Sequence, residues 1–204
     1  LEMGRAESDF SGLLRNEIKE PIPEASIRVW NGLQPIKTEA DGSFNFPAVD
    51  FSEPILLESE SSGHLTTLHT FVPNPREPRA VHYLDTLDQK IFEQSAKYAG
   101  MQLNHSLGTI VGGAVPKFFP RGSKCITLKL FNPAGAEVSL EQGPYRLSLA
   151  DNSQKRCFNR RHSVFGYSRL EQGQYLLKWL DDAGTPFHAD LIYVENGRYS
   201  VVAN

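Results

Sequence analysis

The sequence has little that would place the chain in a membrane or on nucleic acid. No apolar run approaches the roughly 20 residues that a helix needs to cross a bilayer, so we expect no membrane span. The net charge is -3, which gives no broad attraction to nucleic acid. The short basic run of Arg156, Arg160 and Arg161 is typical of a solvated edge. We therefore expect no nucleic acid partner.

The motifs of metal-dependent and nucleophilic enzymes are also missing. The chain has no HExxH, and its closest histidines, His64 and His69, have an odd spacing that puts them on opposite faces of a strand. No Gly-x-Ser-x-Gly motif occurs either. We expect no metal, no cofactor and no catalytic residue. An enzyme with a site at the junction of two modules, built from Arg160, Arg161 and His162, remains an alternative.

Cysteine is scarce, with Cys125 and Cys157 as the only two. Their spacing fits neither a zinc knuckle nor a redox CxxC motif. Two interpretations stay open. The residues form one disulfide, which would stabilise the fold by roughly 3–4 kcal/mol in the chain-entropy model, or they are two free thiols.

Alternating apolar residues and turn signals dominate the first third of the chain. Ala25, Ile27 and Val29 alternate with polar neighbours and predict a strand with one buried face. The segment 36–46 predicts two more alternating stretches around a turn at Asp41-Gly42. These patterns favour an all-β module.

One helix is predicted after a proline-rich hinge at 73–78, at about residues 85–99. Asp85 is placed as its N-cap and Gly100 as the residue that ends it. Its apolar stripe contains Leu84, Leu87, Ile91, Ser95 and Ala99, widened by Phe92 and Ala96.

The second half of the chain repeats part of the first half. When the first half is aligned with the second half at one constant offset, Gly12 falls on Gly113. Further along the chain, at a larger offset, Phe44 and Phe46 fall on Phe165 and Tyr167. Such matches indicate a duplicated supersecondary unit. The first offset also matches Ile27, Val29, Trp30 and Asn31 with Leu128, Leu130, Phe131 and Asn132.

The predicted fold is all-β, with two tandem β-sandwich domains joined by a Pro-rich hinge and one α-helix. We expect the first sandwich at 9–72, a linker with the helix at 73–107, and a second sandwich of similar type at 108–204.

The first module combines a glycine in its first strand, a Pro-Ile-Pro bend before an alternating strand, and a Thr-x-x-Asp-Gly-x-Phe turn. The residues are Gly12, Pro21, Ile22, Pro23, Ala25, Ile27, Thr38, Asp41, Gly42, Phe44 and Phe46. In these residues the module resembles the carboxypeptidase regulatory-like, or transthyretin-like, β-sandwich domain, although Glu24 stands where that pattern often has a glycine. The second module resembles it more loosely, since it lacks the Asp-Gly turn. The resemblance implies tandem seven-stranded Greek-key sandwiches of the Ig-like or prealbumin-like kind, with an extracytoplasmic and usually non-catalytic role.

The function we expect is that of a non-enzymatic secreted, periplasmic or cell-surface protein, a structural or adhesion module that binds another protein, with a surface or filament assembly as one form of partner. A carbohydrate-binding module is the main alternative, because Trp30 and Phe131 are out of phase with the core residues of their strands. Such residues lie on an outer face or beneath a neighbouring segment. The candidate contact residues are Trp30, Phe118, Phe119, Phe131 and Trp179.

Overall fold

The computed structural model of the chain describes residues 7–30, 34–50, 52–72, 81–113, 123, 125–147, 158 and 164–202. The chain divides into two compact units, Leu1–Gln89 and Lys90–Asn204.

The first unit has seven strands in the described residues: β1 (Glu7–Arg15), β2 (Ser26–Val29), β3 (Ile36–Lys37), β4 (Ser43–Asp50), β5 (Ile55–Glu60), β6 (Thr67–Phe71) and β7 (His82–Asp85). On one side of the core, the central strand β1 pairs with β4 in antiparallel fashion and with β7 in parallel fashion. On the other side the strand order is β6-β5-β2-β3, with antiparallel pairs throughout.

The core of the first unit follows the alternation of the strands. In β4, Phe44 and Phe46 are buried while Asn45 between them is exposed, as expected for a sheet with one face against the core. The Asp41-Gly42 turn precedes β4, and Gly42 has a φ of 77° that suits a residue without Cβ. The buried set includes Phe10, Leu14, Ile22, Ala25, Ile27, Val49, Ile55, Leu57 and Leu84.

The elements that follow are α1 (Gln89–Tyr98), β8 (Gly108–Gly113), β9 (Thr127–Phe131), β10 (Tyr145–Arg146), β11 (Val164–Leu170), β12 (Gly173–Leu180), β13 (Pro186–Val194) and β14 (Tyr199–Val202). In the second unit the strands follow two orders, β10-β11-β8-β14 and β13-β12-β9. The helix α1 packs its Phe92 edge-to-face on Tyr199, with ring centroids 5.3 Å apart.

The two units share one strand order. In each unit the first strand pairs with the fourth in antiparallel fashion and with the seventh in parallel fashion, and the sixth, fifth and second strands follow one another in the other sheet. The difference is the third strand, because β3 pairs with β2 whereas its counterpart β10 pairs with β11. The predicted fold class, all-β sandwiches with one helix, is confirmed for the described residues.

The helix begins later than the sequence indicated. The predicted start at Asp85 is wrong, because Asp85 ends β7 and its carboxylate accepts hydrogen bonds from Arg15 and Lys19. Leu84 belongs to the core of the first unit, and Ile91 is 47% exposed, so neither lies on the buried stripe of the helix. That stripe consists of Phe92, Ser95 and Ala96.

The helix ends at Tyr98, and Gly100 lies two residues beyond it. Gly100 has a φ of 70°, and the N–H of Met101 donates to the carbonyl of Ala96 over 2.9 Å. The strand β7 falls inside the range 73–107 that was predicted as linker, and hinge residues 73–78 lie outside the described residues. Within the described residues, no helix has the length and apolar character needed to cross a membrane.

Candidate functional site

The aromatic candidates lie in three different environments. Phe131 lies at the end of β9 and Trp30 directly follows β2, and both are partly buried. Trp179 is fully buried in the core of the second unit. Phe118 and Phe119 lie outside the described residues, so their role as contacts stays a prediction.

Trp179 is not a surface residue, which corrects its place among the contact candidates. In β12 the buried residues are Tyr175, Leu177 and Trp179, so the indole faces the core. Its Nε1–H donates to Asp190 Oδ2 over 2.5 Å, and His188 Nε2 lies 3.1 Å from Asp190 Oδ1. The buried indole N–H is satisfied by a carboxylate on the neighbouring strand, and this bond fixes the Asp190 side chain.

An apolar row crosses the opposite face of the same sheet. Phe131 in β9 stands in register with Leu176 in β12, and Leu176 stands in register with Leu191 in β13. Leu176 is 37% exposed and Leu191 is 38% exposed. Since side chains alternate along a strand, the row lies on the solvent side, while Leu177 and Leu130 face the core.

A second row, with two lysines, runs beside the apolar one. Lys129 in β9 is in register with Lys178 in β12, and Lys178 with Ala189 in β13. Lys178 Nζ lies 4.7 Å from the centre of the Phe131 ring, a cation–π contact. Lys129 Nζ is 2.9 Å from Glu137 Oε2. We call the six residues Phe131, Leu176, Leu191, Lys129, Lys178 and Ala189 the outer face.

Of the outer face, only Phe131 was predicted from the sequence as a contact residue. The signal was present in β12, where Leu176 is out of phase with the buried Tyr175 and Leu177. A leucine on the solvent side of a strand is common by itself. Only the register between the three strands shows that Leu176 continues from Phe131 to Leu191.

Trp30 lies at a separate cleft in the first unit. The cleft has a volume of about 480 Å³, and Asp50 and Glu53 are among its lining residues. The Arg28 guanidinium lies 5.2 Å from the centre of the Trp30 ring. The arrangement places an aromatic ring near carboxylates at an open surface.

A chain of hydroxyl and imidazole groups is buried in the first unit. Ser59 Oγ lies 2.5 Å from Thr67 Oγ1, which lies 2.9 Å from His69 Nε2. Burial lowers the pKa of His69 to about 4, and the charge of Asp85 opposes this shift to a smaller extent. All three side chains are buried, so no substrate reaches this serine and it does not serve as a nucleophile.

The remaining candidates concern metals and cysteines. Among the described residues, no three or more His, Cys, Asp or Glu side chains are grouped to hold a metal ion. Cys125 is disulfide-bonded. Cys157 lies outside the described residues, so pairing between the two cysteines stays a prediction, and so does any role of Arg160, Arg161 and His162.

Comparison with known proteins gives matches to solved structures alone. No family model matches the chain, and no curated protein matches it. The Bacillus anthracis TIE protein is 13% identical with a TM-score of 0.33, over 96% of this chain and 33% of that protein. The chain thus spans about a third of that protein's length.

Two pilins are similar to the same extent. GBS52, a minor pilin of Streptococcus agalactiae, is 10% identical with a TM-score of 0.31, over 96% of this chain and 93% of the pilin. A variant of BcpA, the major pilin subunit of Bacillus cereus, is 6% identical with a TM-score of 0.30, over 96% of this chain and 99% of the pilin. At these TM-scores no property of the three proteins is carried over to this chain.

Proposed function

We propose that the chain is a non-enzymatic extracytoplasmic protein, a structural or adhesion module that binds another protein through the outer face. The observation that carries this proposal is the registered row Phe131, Leu176 and Leu191 on the solvent side of a sheet. Apolar side chains grouped across three strands, with charged residues beside them, are typical of a protein contact surface.

We also propose that the two units arose as tandem copies of one β-sandwich. Their shared strand order supports this origin, and so does a glycine in the first strand of each. Gly12 stands opposite Phe44, and Gly112 stands opposite Phe165. The constant spacing of the sequence repeat pairs Gly12 with Gly113 instead, one residue further on and therefore on the other face of the strand.

A relation to carboxypeptidase regulatory-like domains is part of the proposal for the first unit. The motif residues have structural roles that fit such a pattern. The Thr38 hydroxyl donates to the carbonyl of Ile22 over 2.7 Å and accepts from the N–H of Ala25 over 2.9 Å. The Asp41 carboxylate accepts from the N–H of Ser43 over 2.9 Å. These bonds hold the bend and the turn that the motif specifies.

The test of protein binding is a capture experiment with variants of the outer face. The wild-type chain, the double variant Leu176→Ser/Leu191→Ser and the control Ile18→Ser serve as baits for an envelope extract of the source organism, with partners identified by mass spectrometry. Ile18 is 67% exposed in the first unit, so its replacement tests the general effect of losing an exposed apolar side chain. We expect the double variant to lose partners that the control retains. Equal capture by all three baits would contradict the proposal.

Carbohydrate binding is the second candidate function, favoured by the cleft beside Trp30. Aromatic rings stack on sugars, and carboxylates such as Asp50 and Glu53 bind sugar hydroxyls. A glycan array probed with the wild-type chain and with Trp30→Ala tests it. Binding that requires Trp30 supports this function, and an array without signal removes it.

A further inference from the structure

The strand β13 is an edge strand whose outward backbone groups can be assigned. It pairs with β12 on one side, and in the described part of the chain no strand pairs with its other side within this sheet. Ser200 Oγ donates to the carbonyl of Tyr193 over 2.6 Å, so this carbonyl points away from β12. Backbone groups of alternate residues point the same way, which places the N–H and C=O of Ala189 and Leu191 on the open side.

A second observation gives the same assignment independently. The carbonyl of Leu130 accepts from the N–H of Val138 over 2.8 Å, so the backbone N–H and C=O of Leu130 point away from β12. Its register partner Leu177 therefore directs its backbone groups to β13, where Asp190 stands opposite. The backbone groups of Asp190 therefore bond to β12, and those of its neighbours Ala189 and Leu191 point to the open side. Both Ala189 and Leu191 are exposed.

We propose that β13 binds an extended segment of another protein by strand addition, and that this segment has an apolar residue opposite Leu191 and a lysine or arginine opposite Asp190. The inference rests on the proposed function and specifies its interface and the chemistry of the partner. Main-chain hydrogen bonds to Ala189 and Leu191 pair the segment with β13, and contacts with the side chains of β13 determine which sequences bind.

The apolar requirement follows from the outer face. A strand added to β13 puts every second side chain on the same side as Phe131, Leu176 and Leu191. The residue opposite Leu191 extends this row by one strand. An apolar side chain there covers Leu191, which is 38% exposed in the chain alone.

The basic requirement follows from the position of Asp190. Because its neighbours form the hydrogen-bonded pairs with an added strand, Asp190 occupies a non-hydrogen-bonded pair, where opposing side chains are closest. Its carboxylate accepts from the neutral indole of Trp179, and its side chain is 21% exposed. A cation opposite it is therefore favoured over a second carboxylate.

The same geometry disfavours a second copy of β13 as the occupant. An antiparallel copy with Ala189 opposite Leu191 would place two Asp190 carboxylates directly opposite each other. An inward-pointing charge on an edge strand is a known protection against self-pairing. The part of β13 that is open to a new strand is also short. At one end the register with β12 shifts between Trp179 and Leu180, opposite Pro186. At the other end the carbonyl of Tyr193 already accepts a hydrogen bond from Ser200.

The test uses the full chain and synthetic peptides as probes. One peptide presents Val-Lys-Glu at its centre and a matched peptide presents Val-Glu-Glu, so that they differ at the residue opposite Asp190. Binding is measured by NMR titration, together with amide hydrogen exchange at Ala189 and Leu191. We expect slower exchange at both amides and tighter binding of the lysine peptide by about fivefold.

Two variants separate main-chain pairing from other binding. Ala189→Pro removes an outward N–H that β12 does not use, and proline is tolerated at such edge positions. Ala189→Ser keeps that N–H and is the control. We expect Ala189→Pro to lose peptide binding and Ala189→Ser to retain it. If Ala189→Pro does not fold, a lysine peptide N-methylated at alternate residues gives the same test on the wild-type chain.

The outcomes distinguish this inference from the proposed function. Peptide binding that survives both Ala189→Pro and N-methylation overturns strand addition. The charge assignment is wrong if both peptides bind equally, whereas a preference lost in Asp190→Asn supports it. A dimer in analytical ultracentrifugation that Ala189→Pro abolishes would make a second copy the occupant and overturn the partner assignment. If Ala189→Pro retains partner capture but Leu176→Ser/Leu191→Ser loses it, strand addition fails while the proposed function stands.

Discussion

His69 illustrates at the scale of one residue how burial controls protonation. Its imidazole is fully buried in the first unit, and its Nε2 contacts the hydroxyl of Thr67. Desolvation disfavours the charged form and lowers the pKa from 6.5 to about 4. The opposing attraction of Asp85 is too small to reverse the shift.

The stability of the first unit should therefore depend on pH through His69. Because folding lowers its pKa, the stabilising contribution is fully present above pH 6.5 and is lost as the pH falls toward about 4. We expect a loss of about 3 kcal/mol in the free energy of unfolding across this range. Urea unfolding at neutral pH and near pH 4 measures it.

Two variants isolate this contribution from that of the carboxylates. In His69→Leu we expect a smaller fall in stability between the two pH values. His64→Leu, which replaces a partly exposed histidine, should keep the wild-type difference. An unchanged pH dependence in His69→Leu would show that His69 does not couple folding to protonation.

At the scale of the element, the first strand of each unit depends on one glycine. A Cβ on Gly12 would overlap the ring of Phe44 and lie 2.7 Å from the carbonyl oxygen of His82. A Cβ on Gly112 would lie 2.6 Å from Cζ of Phe165 and 2.9 Å from Cβ of Val202. In both units a phenylalanine ring covers the backbone where a side chain is absent.

Gly12→Ala and Gly112→Ala should each lower the free energy of unfolding by about 1–3 kcal/mol, because the ring and a neighbouring strand must both move. Chemical denaturation measures the effect. Ser11→Ala, on the opposite face of β1, is the control and should change stability much less. A neutral effect of both glycine variants would mean that the sheets accommodate the extra methyl group by small shifts.

The elements also show how far the sequence predicts the structure. The Asp41-Gly42 turn and the alternation in β4 follow from local residue preferences, so they were predictable. The start of the helix was not, because Leu84 matches a helical stripe by spacing alone while its burial depends on parallel pairing with Leu14. Pairing between strands distant in the sequence cannot be derived from one chain's periodicity.

The same limit applied to the candidate site. The out-of-phase position of Phe131 was visible in the sequence, but Trp179 was misplaced because its neighbours along β12 alternate between core and surface. Its buried indole N–H is satisfied by Asp190, which lies in a different strand. Whether a tryptophan is a contact residue or part of the core therefore depends on the side chains that it meets on neighbouring strands.

At the scale of the whole molecule, one strand order occurs twice. Each unit has its own cluster of buried residues, and each places the first strand between the fourth and the seventh. The third strand is the variable element, because β3 and β10 join different sheets. A short edge strand of this kind changes sheets without disturbing the central pairs.

A disulfide supports the proposed extracytoplasmic location, since disulfides persist mainly in oxidising environments. Cys125 is disulfide-bonded, and Cys157 is the only other cysteine in the chain. We expect peptide mapping without reductant to find Cys125 linked to Cys157. Reduction should lower the free energy of unfolding by roughly 3–4 kcal/mol, because the closed loop restricts the unfolded chain.

The double variant Cys125→Ser/Cys157→Ser supplies the matched control for this prediction. It should unfold at the same denaturant concentration with and without reductant, and near the midpoint of the reduced wild-type chain. If both thiols of the wild-type chain react with an alkylating reagent before any reduction, the linkage is absent. Free thiols would also remove the support that a disulfide gives to the proposed extracytoplasmic location.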